Sequence, residues 1–285
     1  DSRAFTFQPD MPNEQLVLVP LLDMLNTFSL LQDGEELWQC VFDSEGAAAE
    51  GAVFSVERPI RKGDEVLHLY SSNSSALQWM VYGFLEDYEG DNPFEIAGLD
   101  VDVESALREE KQELASAKLA VLTKAGFNCD RVLFELPSDG ESGGPLLPVA
   151  RILCCNSVEE VARVAPVFEH VDNLGHSPHN FGLDLELRAR MLVASWLREA
   201  LRVSDEAKAA LQARTSGTAT PCKKTRLYAL AMTLLTRERP LLELELHTTE
   251  SFISGAQAAL ADGGAAKGEF ESRHWDDETG WLGAG

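Results

Sequence analysis

Paired cysteines, long apolar runs and positive charge are all scarce in this chain. The five cysteines (Cys40, Cys129, Cys154, Cys155, Cys222) form no Cys-x-x-Cys pair, which argues against a structural zinc site, and their odd number argues against a closed disulfide framework. Cys154 and Cys155 fall in the apolar run VARILCC and are read as buried thiols, which points to a reducing, intracellular compartment. Cytoplasm, nucleus and plastid are not distinguished. No apolar stretch approaches the roughly 20 residues needed to cross a bilayer, and no signal or transit peptide is visible, so no membrane partner is expected. Lysine and arginine total 24 against 47 aspartates and glutamates, a net charge of −23. Such a chain repels phosphate backbones, so nucleic acid is not an expected partner. Lysine-rich segments are attracted by the same charge, although an acidic solvated surface accounts for it equally. There is no Gly-x-Ser-x-Gly elbow and no His-Glu-x-x-His helix. The glycine-rich DGGAAKG (residues 262–268) lacks the Gly-Lys-Ser/Thr ending of a phosphate loop and is read as a linker. His170, His176 and His179, with Asp172 nearby, lack both a cysteine partner and helical i, i+4 spacing, and are read as surface histidines rather than metal ligands.

What remains is a chain of 285 residues, long enough for two modest domains, each with its own core. Residues 16–22 (LVLVPLL) read as a buried strand, and 37–42 and 52–56 as short strands around the loop SEGAAAEG. Residues 61–64 form a turn, 65–70 alternate like a half-buried strand, and 74–82 read as a short helix capped by Ser74 or Ser75. Beyond Asp91-Asn92-Pro93 the pattern becomes helical. A long amphipathic helix is expected over 105–124 with Gly126 as its stop, and a second helix is capped by Ser157 with acids in its first turn. A third is expected over 183–201, a fourth from Ser204, and a final pair over 225–236 and 241–261, with Pro240 beginning or kinking the last. The tail from Asp262 is rich in glycine, alanine and charge and is expected to be poorly ordered. A β-rich first third before a helical remainder argues for two domains, 1–95 and 96–262, followed by the tail 263–285.

Three motifs stand in order in the first domain. LVLVPLLDMLNT (16–27) is an apolar run ending in an Asp-x-x-Asn corner. RPIRKGDEVLHLY (58–70) is a basic turn and a strand ending in tyrosine. SSALQWMVYGF (74–84) is a helix ending in Tyr-Gly-Phe. Together they resemble the C-terminal half of a SET domain, in the subfamily of the Rubisco large-subunit lysine methyltransferases. KLAVLTKAGF, VLFEL and LLPVARILCC, then LRARMLVASWLREAL and TRLYALAMTLLTRERPLLE, resemble the helical substrate-binding domain that follows the SET domain there. The resemblance implies an α+β fold, a partial β-rich SET domain followed by an all-α substrate-binding domain. It also implies transfer of methyl from S-adenosyl-L-methionine to a lysine of a protein substrate, or to a histidine. The Gly-x-Gly loop of the first half of a SET domain has no counterpart in the fifteen residues before Leu16, so the chain is expected to begin within the fold.

Site roles follow from the same resemblance. Tyr70 is implied as the catalytic residue, aligning a neutral amine with the methyl group, and Tyr82 as a wall of the lysine channel. Asn26 is implied to contact the amino-acid end of the donor, a job suited to an amide that both donates and accepts. Thr27 stands where the family has histidine, so backbone contacts to the adenine survive while ring packing does not. Asp23 is implied to help bind substrate. Arg3, in the SRAF segment, is implied to reach the active site as an always-charged donor serving both ligands. Trp38 falls near a lysine-wall position that is often tyrosine. The rival reading is a non-catalytic interaction scaffold built on a degenerate SET remnant, with Thr27 and the absent glycine loop as its signs.

Overall fold

The computed structural model describes residues 61–63, 74–85, 92, 94–127, 131–138, 145–168, 181–215 and 223–262, with Lys267 and Phe270, and the backbone of the short strands near either end. The chain divides into two compact units, Asp1–Glu95 and Ile96–Gly285.

The first unit contains three antiparallel hairpins: β1 (Phe5–Phe7) with β2 (Gln15–Val17), β3 (Leu31–Gln32) with β4 (Glu35–Glu36), and β5 (Cys40–Asp43) with β6 (Val53–Val56). The last hairpin is in register Cys40↔Val56 through Asp43↔Val53. It joins two of the expected strands across the loop SEGAAAEG. The expected turn lies at Arg61–Gly63, where Gly63 adopts a φ of 102° that favours glycine. The expected strand over 65–70 lies outside the described residues. The one helix described in this unit is α1 (Ser75–Tyr82).

The second unit is helical around a two-stranded antiparallel ribbon, so the fold is α+β as expected, with some of its β structure inside the helical unit. β7 (Ile96–Asp102) pairs with β8 (Arg131–Pro137), which contains the expected VLFEL strand, in register Leu99↔Phe134 and Asp102↔Arg131. Side chains alternate across the ribbon: Ala97, Leu99, Val101, Val132, Phe134 and Leu136 are buried, and the residues between them face outward.

The single helix expected over 105–124 is instead two. Asp102 caps α2 (Val103–Leu107) by accepting from the Ser105 N–H at 2.8 Å, and α3 (Gln112–Lys124) starts after a turn. The turn lets Glu110 meet Lys118. In an unbroken helix, residues eight apart would sit about 12 Å apart along the axis, whereas here the two form an ion pair. Lys118 is fully buried and also donates to the Leu153 carbonyl at 2.7 Å. α3 ends at the expected stop, Gly126 (φ 90°).

α4 (Leu146–Leu153) is apolar at every position but Arg151 and is buried on nearly every side, and its proline, Pro148, sits in the tolerant first turn. α5 (Val158–Val164) is capped by Ser157 as expected, its hydroxyl accepting from the Glu160 N–H at 3.1 Å, and is followed by a 3-10 turn, Ala165–Phe168.

The four helices expected beyond residue 182 are two. α6 (Leu183–Thr215) runs straight through Ser204, and α7 (Lys223–Asp262) runs through Pro240. Arg202 explains the first continuity, pairing with Glu199 at 2.5 Å on one side of the expected break and with Glu206 on the other. Arg239 explains the second: it reaches Glu243 at 2.7 Å across the proline and also pairs with Asp205 of α6. The Arg198–Glu250 pair (2.7 Å) and the Arg239–Asp205 pair set the two helices antiparallel.

Of the tail 263–285, Lys267, Phe270 and the backbone of two short strands lie within the described residues. Phe270 is buried and meets Phe252 edge-on with ring centroids 5.3 Å apart, and β9 (Trp275–Asp276) pairs with β10 (Gly280–Trp281). The same contact explains a glycine inside α7, because a Cβ on Gly255 would lie 2.7 Å from Cε2 of Phe270. Gly255→Ala is therefore expected to forgo the usual gain of about 1 kcal/mol for alanine over glycine in a helix. It should instead displace the ring, seen as faster proteolysis between residues 262 and 275. An unchanged cleavage rate with a raised melting temperature would contradict this packing.

Candidate functional site

Of the seven residues to which the sequence assigns roles, Tyr82 is the one within the described residues. Arg3, Asp23, Asn26, Thr27, Trp38 and Tyr70 lie outside them, so the structure neither brings these six together nor separates them. His170, Asp172, His176 and His179 also lie outside. Among the described residues no cluster of histidine, cysteine, aspartate and glutamate has the makings of a metal site, and no helix is long and apolar enough to cross a membrane.

What is described is how Tyr82 is held. α1 begins at Ser74, whose extended backbone (φ −61°, ψ 155°) and hydroxyl, accepting from the Leu77 N–H at 3.4 Å, form the cap. Fully buried Ser75 gives two hydrogen bonds to Glu95, from its N–H to Oε1 (3.0 Å) and from its hydroxyl to Oε2 (2.5 Å). The carboxylate is itself almost fully buried, and the exposed N–H groups and positive end of the helix dipole stabilise it there. Asn92 positions Glu95 in turn: its side-chain oxygen accepts from the Phe94 N–H at 3.0 Å and its carbonyl from the Glu95 N–H at 3.0 Å.

The other end of α1 stops at Gly83 in the left-handed region (φ 78°, ψ 14°), whose N–H returns to the Trp79 carbonyl at 3.0 Å. Tyr82, the last helical residue, is half-buried, and its ring lies 6.0 Å from that of Phe84, tilted by 36°. Both ends of a two-turn helix are thus fixed, and the tyrosine ring projects from the fixed C-terminal end. The Ser74 cap is legible in the sequence, whereas Glu95 is not. Twenty residues separate it from Ser75, and no local pattern marks a carboxylate for that contact.

The second unit holds a buried charge network that the sequence did not reveal. Arg151 and Glu186 are both fully buried and form a two-bond pair, Nε to Oε1 at 2.7 Å and Nη2 to Oε2 at 3.0 Å. Arg190 lies one turn on from Glu186, with its guanidinium 4.1 Å above the Phe252 ring centroid. Burial holds the Arg190 pKa below the ordinary arginine value; Glu186 and Glu245 oppose that shift, while Arg151 adds to it. Burial also pushes the Cys154 thiol up to about 11 and that of Cys155 up to about 12, so neither is a nucleophile at neutral pH. Cys155 is the buried thiol expected, and Cys154 is partly exposed.

No protein-family model matches the chain, and no curated protein matches it. Among solved structures the chain is similar to the SET domain of LSMT bound to methyllysine and AdoHcy, at 20% identity and a TM-score of 0.49, over 90% of this chain and 54% of that one. It is similar also to the SET domain of LSMT bound to lysine and AdoHcy, at 18% identity and a TM-score of 0.49, over 90% of this chain and 53% of that one. The chain therefore spans about half the length of the structures it matches. At this identity and TM-score the likeness assigns no role to any residue.

Proposed function

We propose that the protein acts as a SET-type protein-lysine methyltransferase that uses S-adenosyl-L-methionine, with the helical unit docking the protein substrate. The observation that carries this reading is the ordered motif set: SRAF at Arg3, the Asp23-x-x-Asn26 corner, the segment EVLHLY ending at Tyr70, and a helix ending at Tyr82. The helix that ends the set is anchored at both ends, as a channel wall requires. Contacts of Arg3, Asn26 and Thr27 to the donor rest on the motifs alone.

The donor supplies an electrophilic methyl group on a sulfonium. The chain's part is to receive a lysine amine in neutral form, which burial favours by lowering the amine pKa, and to aim its lone pair along the S–C axis. Tyr70 aligns the amine through its hydroxyl, and the ring of Tyr82 narrows the approach and excludes water. Alignment of this kind is worth several kcal/mol of barrier without any covalent participation by the protein.

The competing reading, a non-catalytic interaction scaffold, takes Thr27 as its observation, since the family's histidine is absent there. One pair of measurements separates the two. Incubation of a full-length version with tritiated donor and cell extract is expected to label protein, and a saturable heat in titration calorimetry of the 285-residue chain with donor would sink the scaffold. A full-length version that labels no protein overturns the methyltransferase reading.

A further inference from the structure

The positive charge of this acidic chain is concentrated in one place. Residues 202–240, the distal half of α6, the connection and the first half of α7, hold eight lysines and arginines against three acids, a net of +5. The remainder holds 16 against 44, a net of −28. The same segment has almost no core. Of its described residues only Ser204 is buried, whereas the proximal halves of both helices bury Leu183, Leu185, Val193 and Leu197, and Leu242 and Phe252. Leu227 is half exposed, and Leu230, Met232, Leu234 and Leu235 are only partly covered.

Between the two helices of this arm runs an apolar groove of about 500 Å³. Its walls are Ala207, Ala210, Leu211 and Arg214 on α6, and Ala231, Leu234, Leu235 and Glu238 on α7. Each set is spaced i, i+3, i+4, i+7, so each is one face of its helix. Two such faces side by side, lined largely by alanine and leucine, form the floor on which the apolar stripe of a third helix packs. Arg214 lines the groove, Lys208 follows the wall residue Ala207, and Arg226 lies just over a turn before Ala231; none of these three makes an ion pair among the described residues.

We propose that this arm docks an acidic amphipathic helix of a partner protein, with leucine-like side chains in the groove and carboxylates against the basic rim. The apolar floor favours a helix over a nucleic acid, which would leave the groove unfilled. The proposal does not depend on methyl transfer.

The probe is a fluorescein-labelled peptide of 18 residues with leucines at i, i+3, i+4 and i+7 of each repeat and glutamates elsewhere, titrated with the full chain by fluorescence anisotropy. Saturable binding is expected, weakening as salt rises from 50 to 200 mM, because rim charges are screened over about a Debye length. Replacing the glutamates of the peptide by lysine should abolish binding, as should replacing its leucines by serine. Arg214→Glu with Arg226→Glu should weaken binding about tenfold, and Leu234→Gln by a similar factor, with helicity by circular dichroism unchanged. Arg214 and Arg226 are exposed and Leu234 is only partly covered, so these variants are expected to stay folded. The proposal is overturned by no binding, by equal binding of the lysine peptide, or by wild-type affinity of the charge-reversed double variant. It is overturned equally if a single-stranded oligonucleotide binds tighter than the peptide. Self-association of the free chain that the same double variant abolishes would make a second copy, not a partner helix, the occupant.

Discussion

Glu186→Leu is expected to lower the free energy of unfolding by about 3–5 kcal/mol, the range found when one partner of a buried ion pair is removed. The reason is the company Glu186 keeps. Arg151 and Arg190 are both buried, and Arg151 Nη1 and Arg190 Nε already have no hydrogen-bond partner among the described residues. Removing the carboxylate leaves two guanidinium groups in an apolar surround with their nearest anion gone. Arg151→Met should cost clearly less. It leaves Glu186 beside Arg190, whose charge is then no longer opposed by that of Arg151. Urea unfolding of the two single variants measures the asymmetry, and equal losses would refute the account of a shared carboxylate. Methionine and leucine approximate the volumes they replace, so the comparison is of charge and not of cavity.

Tyr70→Phe is expected to lower the rate of methyl transfer by about a hundredfold, the scale of a reactant misplaced by about an ångström, while donor affinity stays within twofold. The hydroxyl is assigned to aligning the amine and not to holding the donor, so turnover should fall and calorimetric binding should not. Tyr82→Phe keeps the ring that forms the channel wall and should retain most activity. A Tyr70→Phe chain that methylates at the parent rate would remove this residue from the mechanism and leave the motif resemblance without its chemical centre.

Local signals were legible in the sequence and long-range ones were not. Ser74 and Ser157 cap helices as read, since a hydroxyl followed by an unbroken apolar period is a signal contained in four residues. Gly126 ends α3 for the same kind of reason. The failures come where tertiary contacts override a local cue. Ser204 looked like a cap and Pro240 like a break, yet ion pairs from Arg202 and Arg239 span both positions and the partner helix runs alongside. The turn that splits α2 from α3 is fixed by Lys118, a residue whose burial nothing in its immediate sequence announces. For the candidate site, the sequence carries the motifs, and the structure adds the Asn92–Glu95–Ser75 chain that sets where Tyr82 stands.

Pro240 lies where the well-packed half of α7 gives way to the arm, and it has no N–H to offer the carbonyl of Thr236. The ladder of backbone hydrogen bonds is therefore one rung short at that junction. Cooperativity along a helix passes through such rungs, so at this junction the coupling between the two halves of α7 rests on the Arg239–Glu243 pair and on α6 alongside.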